Sequence, residues 1–280
     1  MKTLIKVNMK NFKIVSTTLF ASAVVIALTV SACKPVNAEN EKVAEKQQSA
    51  DSFAEDNVKE ASITFRSGKV IEIAYISVEG GKEAQLGNEY FPKILPIGAK
   101  YGAKMLGSFQ VTAVTGGEIQ PQMIAIFEWP NLAARYKFLA DKDAKKLFPI
   151  RDDAITFFKQ AYFSVDEDVA VTFREDKTYE FFNAWLTPEA KTALPEYFKR
   201  SEEVKKKYGP PAFLASLKPL KNAPKEDYVL QPHRAAIVEW NNTNTYFGLI
   251  ADPEFKKAVP LLEKSLTRLD MLHAKFNFPQ

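Results

Sequence analysis

The chain repeats itself at domain length, and this constrains its fold more than any other feature. Glu89-Tyr90-Phe91 returns as Glu196-Tyr197-Phe198, and Lys100-Tyr101-Gly102 as Lys207-Tyr208-Gly209, both at a shift of 107. Phe127-Glu128-Trp129 then pairs with Val238-Glu239-Trp240, Ala140-Asp141 with Ala251-Asp252, Lys145-Lys146 with Lys256-Lys257 and Pro149 with Pro260, all at a shift of 111. The four-residue change falls before Pro121 and Pro232, where a loop absorbs it. A unit of this length is a domain; solenoid units are shorter.

The N-terminus reads as a secretion signal. Lys2, Lys6, Lys10 and Lys13 precede an apolar run from Ile14 to Val30, and Val30-Ser31-Ala32-Cys33 forms a lipobox. Small residues before the cysteine fit a signal peptidase, and the thiol accepts the lipid. Cys33 is the only cysteine, so no internal disulfide is available and the fold must rest on its apolar core. Lys34 follows where an aspartate would signal inner-membrane retention. The expectation is therefore a bacterial outer-membrane lipoprotein, held to the membrane through lipid on Cys33, with its folded part in the periplasm.

Residues 1–32 carry four of the 38 basic residues and no acid. The remainder balances 34 basic against 34 acidic side chains, which removes the charge argument for a nucleic-acid partner. Residues 33–61 are rich in Glu, Lys, Gln, Ala and Ser and read as a flexible tether. The two units are expected at 62–168 and 169–280.

Each unit opens with a hairpin signal. Thr64-Phe65-Arg66 before Ser67-Gly68 matches Thr172-Phe173-Arg174 before Glu175-Asp176. Strands are expected at 70–78, 104–114 and 122–129, and again at 178–185, 212–220 and 234–240. Thr187-Pro188-Glu189 starts a helix in the second copy, and Gly102 and Gly209 end the first helix of each unit. Pro92 and Pro96 are expected to break or shorten the first of these helices. Second helices begin at Asn131 and Asn242, break near Asp141 and Asp252, and restart beyond Pro149 and Pro260. Ile155, Phe158 and Ala161, and Leu262, Leu266, Leu269 and Leu272, recur at helical spacing. A closing strand follows near 162–165 and 275–278.

The order strand, helix, strand, strand, helix, strand is the ferredoxin-like split unit. Met123–Phe127 and Ala235–Val238 are apolar at every position, so both faces of these strands are covered. The fold class is thus α+β: two tandem ferredoxin-like (βαββαβ) units forming an intramolecular pseudo-dimeric α/β barrel. Glu128-Trp129-Pro130, Ala140-Asp141, Leu147-Phe148-Pro149 and Arg151 resemble the dimeric α/β-barrel superfamily, and within it a small family of unknown function. NIPSNAP is the near alternative, through Ala133-Ala134-Arg135 and Ala140-Asp141. That resemblance implies any of several chemistries: cofactor-free oxygenases, isomerases, haem-degrading enzymes and members without known activity. It also draws notice to His273, expected on the last helix, where haem-binding members place a ligand.

Glu128 and Glu239 head the candidate catalytic residues, because the repeat places them equivalently and a carboxylate pair can share or take a proton. Tyr75, Trp129, Arg151, Phe182, Trp185 and Trp240 are candidates to line a ligand site, with Arg135 and Arg151 suited to an anion. Arg66 and Arg174 read as ion-pair partners. Two histidines without a cysteine partner argue against structural zinc, and no nucleophile elbow, phosphate loop or dinucleotide fingerprint is present. No cofactor and no metal are expected. Three functions stay open: a small apolar ligand held in the barrel, a cofactor-independent oxygenase or isomerase using a barrel carboxylate, and an interaction lipoprotein whose protein partner the sequence does not name.

Overall fold

The computed structural model describes residues 58–278. The lipobox, Cys33 and most of the tether lie outside them. The first unit runs β1 (Glu60–Phe65), β2 (Val70–Val78), α1 (Glu83–Gln85), a π-helical turn (Leu86–Tyr90), α2 (Phe91–Lys100), β3 (Lys104–Gly116), β4 (Met123–Trp129), α3 (Leu132–Ala140), α4 (Lys142–Ala154) and β5 (Ile155–Ser164). The second runs β6 (Val169–Arg174), β7 (Thr178–Leu186), α5 (Ala190–Lys207), β8 (Ala212–Pro219), β9 (Arg234–Trp240), α6 (Thr243–Ala251), α7 (Pro253–Lys256), α8 (Val259–Ser265) and β10 (Leu266–Phe276).

Eight strands close into one antiparallel barrel in the order β10-β3-β4-β2-β5-β8-β9-β7. Each unit contributes four neighbours in the split ferredoxin-like order. Closure leaves no sheet edge to protect. Strand β2 shows why these sequences are apolar on both faces. Ile71, Ile73 and Tyr75 point into the barrel, while Val70, Ala74 and Ile76 point to the helices. Inside, Phe109 meets Phe173, Phe181 and Phe276 edge-on at centroid distances of 5.0, 4.8 and 5.1 Å. The interior is filled by such side chains from both units.

The leading strands behave differently from the hairpins expected of them. The tight turns form, with Lys69 N donating to Arg66 O and Lys177 N to Arg174 O, each at 3.3 Å. But both edges of β2 are already taken, by β4 and β5, so β1 has no place beside it. It pairs instead with its counterpart β6, Ile63 opposite Val171. This two-stranded ribbon closes one end of the barrel, adding Ile63, Phe65, Val171 and Phe173 to the interior core.

The apolar recurrences at 155–161 and 262–272 are also largely strand, in β5 and β10. A strand covered on both faces loses its alternation, and its apolar positions then match a helical period by chance. His273 accordingly lies on β10, not on a helix. Pro92 and Pro96 do not break their helix. Helical residues run from Glu83 to Lys100, and the π turn sits where the ring of Pro92 would press on the carbonyl four residues back.

Several repeated motifs prove to be ties between elements. Gly102 and Gly209 adopt φ +80° after their helices, and a Cβ on Gly102 would lie 2.5 Å from Pro130. Tyr101 donates to Asp141 at 2.7 Å and Tyr208 to Asp252 at 3.0 Å, while each aspartate caps the next helix through backbone N–H groups. Lys207 also donates to Asp252 at 3.0 Å. These donors, the Lys207 ammonium first, hold the Asp252 carboxyl at about 2, below its ordinary 3.8. A depressed folded value contributes stability above the unfolded value and loses it as pH falls through the folded one. Asp252→Asn is therefore expected to destabilise the protein at neutral pH, with the gap from wild type narrowing below about pH 4 and closing as the pH falls through about 2. Urea melts of both proteins across that range check it.

Candidate functional site

The residues singled out from the sequence occupy three regions. Glu128 and Glu239 sit near the capped end of the barrel. Glu128 is buried, accepts a 3.4 Å hydrogen bond from Arg66 and has an Oε2 without a hydrogen-bond partner among the described residues. Glu239 is half-buried beside the Tyr179 hydroxyl. Tyr75 and Trp185 lie toward the other end. Tyr75 accepts from Asn183 Nδ2 at 2.8 Å, and Arg268 stacks on Trp185 at 4.4 Å. Burial, opposed by the Asn183 bond, pushes the Tyr75 hydroxyl above its ordinary value. Trp129, Arg151, Phe182 and Trp240 lie outside the barrel wall, between strands and helices.

This helix–sheet layer holds the densest polar chemistry. In the first unit Glu72 is buried at the middle of β2, pointing toward the helices. Its Oε2 accepts from Trp129 Nε1 at 2.8 Å and from Arg135 Nε at 2.6 Å; its Oε1 accepts from Arg135 Nη2 at 3.2 Å. Arg135 Nη2 also reaches Gln160 Oε1 at 3.4 Å, and Gln160 donates to the Tyr162 hydroxyl. Asn131 caps α3 through Ala134 N and so fixes where Arg135 enters the layer. Burial alone would lower the Arg135 value, but the Glu72 carboxylate outweighs it and the guanidinium stays charged. Arg135 is 5 % exposed, its guanidinium lies over the Trp129 and Phe138 rings at 5.2 and 5.3 Å, and its Nη1 has no hydrogen-bond partner among the described residues.

Further aromatic and charged groups lie in the same layer. Tyr90, on the last residue of the π turn, is buried beside Arg151 and Arg135. Burial raises its hydroxyl value and the two arginines oppose the rise. Tyr162 is raised by burial and then by Glu72. Arg151 lies over Phe148 and Phe158 at 4.9 and 5.5 Å and is partly open to solvent. The cover comes from the second unit. The β8–β9 connection crosses β5, with Gln160 N donating to Tyr228 O and Leu230 N to Gln160 O, and Tyr228 packs on Phe158 at 5.8 Å. Longer than the β3–β4 connection, this loop completes the first unit's layer.

The second unit repeats the plan with different chemistry. Glu180 stands for Glu72 and accepts from Trp240 Nε1 at 3.2 Å. Tyr246 takes the place of Arg135, His273 of Tyr162 and Leu262 of Arg151. Lys205 lies over Tyr197 at 4.7 Å; burial pulls its ammonium down to about 8, and Glu180 opposes that fall.

Sequence reasoning passed over Glu72 and Glu180. Their signal was present: a lone carboxylate inside an apolar strand, recurring at a shift of 108. Among the described residues, no group of three or more His, Cys, Asp or Glu could hold a metal ion, and no helix is long and apolar enough to cross a membrane.

No protein-family model and no curated protein matches the chain. Among solved structures it is similar to an anthrone oxidase-like protein, at 12% identity and a TM-score of 0.49 over 78% of this chain and 95% of that one. It is also similar to a mutant chlorite dismutase from Candidatus Nitrospira defluvii, at 7% identity and a TM-score of 0.44 over 76% and 93%.

Proposed function

We propose that this chain is a lipid-anchored envelope protein that binds a small aromatic anion in the helix–sheet layer of its first unit. The unpartnered Nη1 of Arg135 carries the reading. A buried donor left unmade costs about 1–3 kcal/mol, and an anionic oxygen supplies the missing acceptor. Arg151, which lies over Phe158 and pairs with Asp152 at 2.6 Å, stands at the solvent side as a second cation, and Tyr228 packs on Phe158 beside it. The ligand is placed in this layer because the barrel interior is filled by side chains. The two tandem units act as an intramolecular pseudo-dimer, in which the second covers the first. Cys33 carries the lipid, and the tether gives the barrel reach from the outer membrane into the periplasm.

Benzoate is the test ligand, added to protein beginning at Ala38. Arg151→Leu installs the residue the second unit has at that position; it also removes a partner of the buried Tyr90 hydroxyl and of Asp152. A charged hydrogen bond contributes about 1.5–3 kcal/mol, so this substitution is expected to weaken benzoate roughly 10- to 100-fold. Titration calorimetry checks it, and equal affinity in both proteins would sink the assignment.

A second reading rests on Glu128, whose Oε2 is buried and bare. It would serve as the base of a cofactor-independent oxygenase or isomerase. That reading requires turnover that Glu128→Gln abolishes.

A further inference from the structure

We infer that Lys205 is a covalent modification site, an amine at the margin of the second helix–sheet layer that condenses with a small aromatic aldehyde to form an imine. Its neighbours on α5 are paired surface cations. Lys206 meets Glu202 at 3.0 Å and Glu203 at 2.8 Å, and Lys207 meets Asp252 at 3.0 Å. Lys205 makes no ion pair among the described residues. Its half-buried side chain instead lays Nζ over the rings of Tyr197 and Phe198, at 4.7 and 5.1 Å. Phe198 is 47 % exposed, and Nζ itself is not sealed from solvent. A reagent therefore reaches the amine from solution and needs no preformed cavity.

The position belongs to the second unit alone. At the shift of 107, Lys205 corresponds to Gly98, so the first unit has no amine at that place. Glu180, from β7, is the charged group that faces Lys205, and it already accepts from Trp240 Nε1 at 3.2 Å. Tyr197, on the same helix as Lys205, is a neutral phenol, because burial holds its proton on. Burial outweighs Glu180 and brings the ammonium from 10.5 down to about 8. A usable share of free amine is then present near neutral pH, and its lone pair is the nucleophile. In the reaction Nζ attacks the carbonyl carbon and the C–N bond forms as the carbonyl π pair moves to oxygen. A proton passes from nitrogen to that oxygen, and loss of water leaves the C=N bond. Nothing is oxidised or reduced. The desolvation that disfavours the ammonium also favours this neutral product. An aromatic aldehyde adds contact between its ring and the exposed ring of Phe198.

The test equilibrates the purified protein with limiting benzaldehyde, traps imines with borohydride and reads the occupancy of each lysine by peptide mass mapping. Near neutral pH, Lys205 is expected to carry about 10-fold more label than exposed Lys199 on the same helix. Its occupancy should rise with pH and level off above about 8. Glu180→Gln removes the charge that opposes burial, so the levelling should move to lower pH. An unfolded variant would move it the other way, toward 10.5. Lys205→Met supplies the blank for the labelled peptide. Occupancy at Lys205 no higher than at Lys199, or still climbing at about pH 10 where an ordinary lysine titrates, would overturn the inference. The main readout is on the unaltered protein, so it does not depend on a variant folding. It is also independent of whether the first unit's layer binds benzoate.

Discussion

Arg135→Met is expected to cost about 3–5 kcal/mol of folding stability, more than any surface ion pair in the molecule. The reason is what it leaves behind. Glu72 sits in the apolar strand β2, 4 % exposed, and among the described residues Arg135 supplies its one cation, through Nε and Nη2. Removing the guanidinium strands a carboxylate in a low-dielectric layer, with only Trp129 Nε1 still donating to it. The double variant Glu72→Leu with Arg135→Met removes both charges, so it should be less damaging than Arg135→Met alone, despite leaving the Trp129 N–H without its acceptor. Urea unfolding of the four proteins completes the cycle. If Arg135→Met were as mild as the loss of an exposed pair such as Lys146–Asp143, under about 1 kcal/mol, the layer would be wetter than described.

Phe109→Ala should cost a similar amount, about 3–5 kcal/mol, for an apolar reason. Phe109 is fully buried in the barrel and meets rings from the cap (Phe173), from β7 (Tyr179, Phe181) and from β10 (Phe276). It thus joins β3 of the first unit to three elements of the second. The cavity left by its ring would be lined by a closed barrel wall, which has little freedom to collapse inward. A single cooperative transition should persist, because both units share this interior. Two resolved transitions in Phe109→Ala would mean that the units fold separately and the barrel joins them only loosely. Chemical denaturation followed through tryptophan fluorescence distinguishes the two, since Trp129 and Trp240 report on opposite layers.

Much of this architecture was legible in short motifs that recur along the sequence. The Lys-Tyr-Gly and Ala-Asp motifs look unrelated in the sequence. In the fold they meet: Tyr101 bonds to Asp141 and Tyr208 to Asp252. Glu-Tyr-Phe places Tyr90 and Tyr197 in the two layers, and the repeated tryptophans donate to equivalent glutamates. The strands read at 70–78 and 234–240 match β2 and β9 to the residue. What escaped were features that depend on distant pairing. The ribbon of β1 and β6 needs two segments about 110 residues apart, and local turn chemistry suggested hairpins instead. The long strands β5 and β10 hid within apolar runs that also fit a helix. The site residues escaped for a related reason. Glu128 and Glu239 stand out beside conspicuous tryptophans, whereas Glu72 and Glu180 look like interruptions of apolar strands. Only the layer shows that Arg135 and His273 are built around them.

The most direct measurement is a high-resolution crystal structure of the protein purified from its native source, without exposure to carboxylate buffers. A bound organic anion is expected in the first unit's helix–sheet layer, with an oxygen within hydrogen-bond distance of Arg135 Nη1 and a ring against Phe158 or Tyr228. A single ordered water on Nη1, with the layer otherwise closed by side chains and no binding of added benzoate, would contradict it. The cluster around Glu72 would then be structural, a buried ion pair that holds α3 against the barrel.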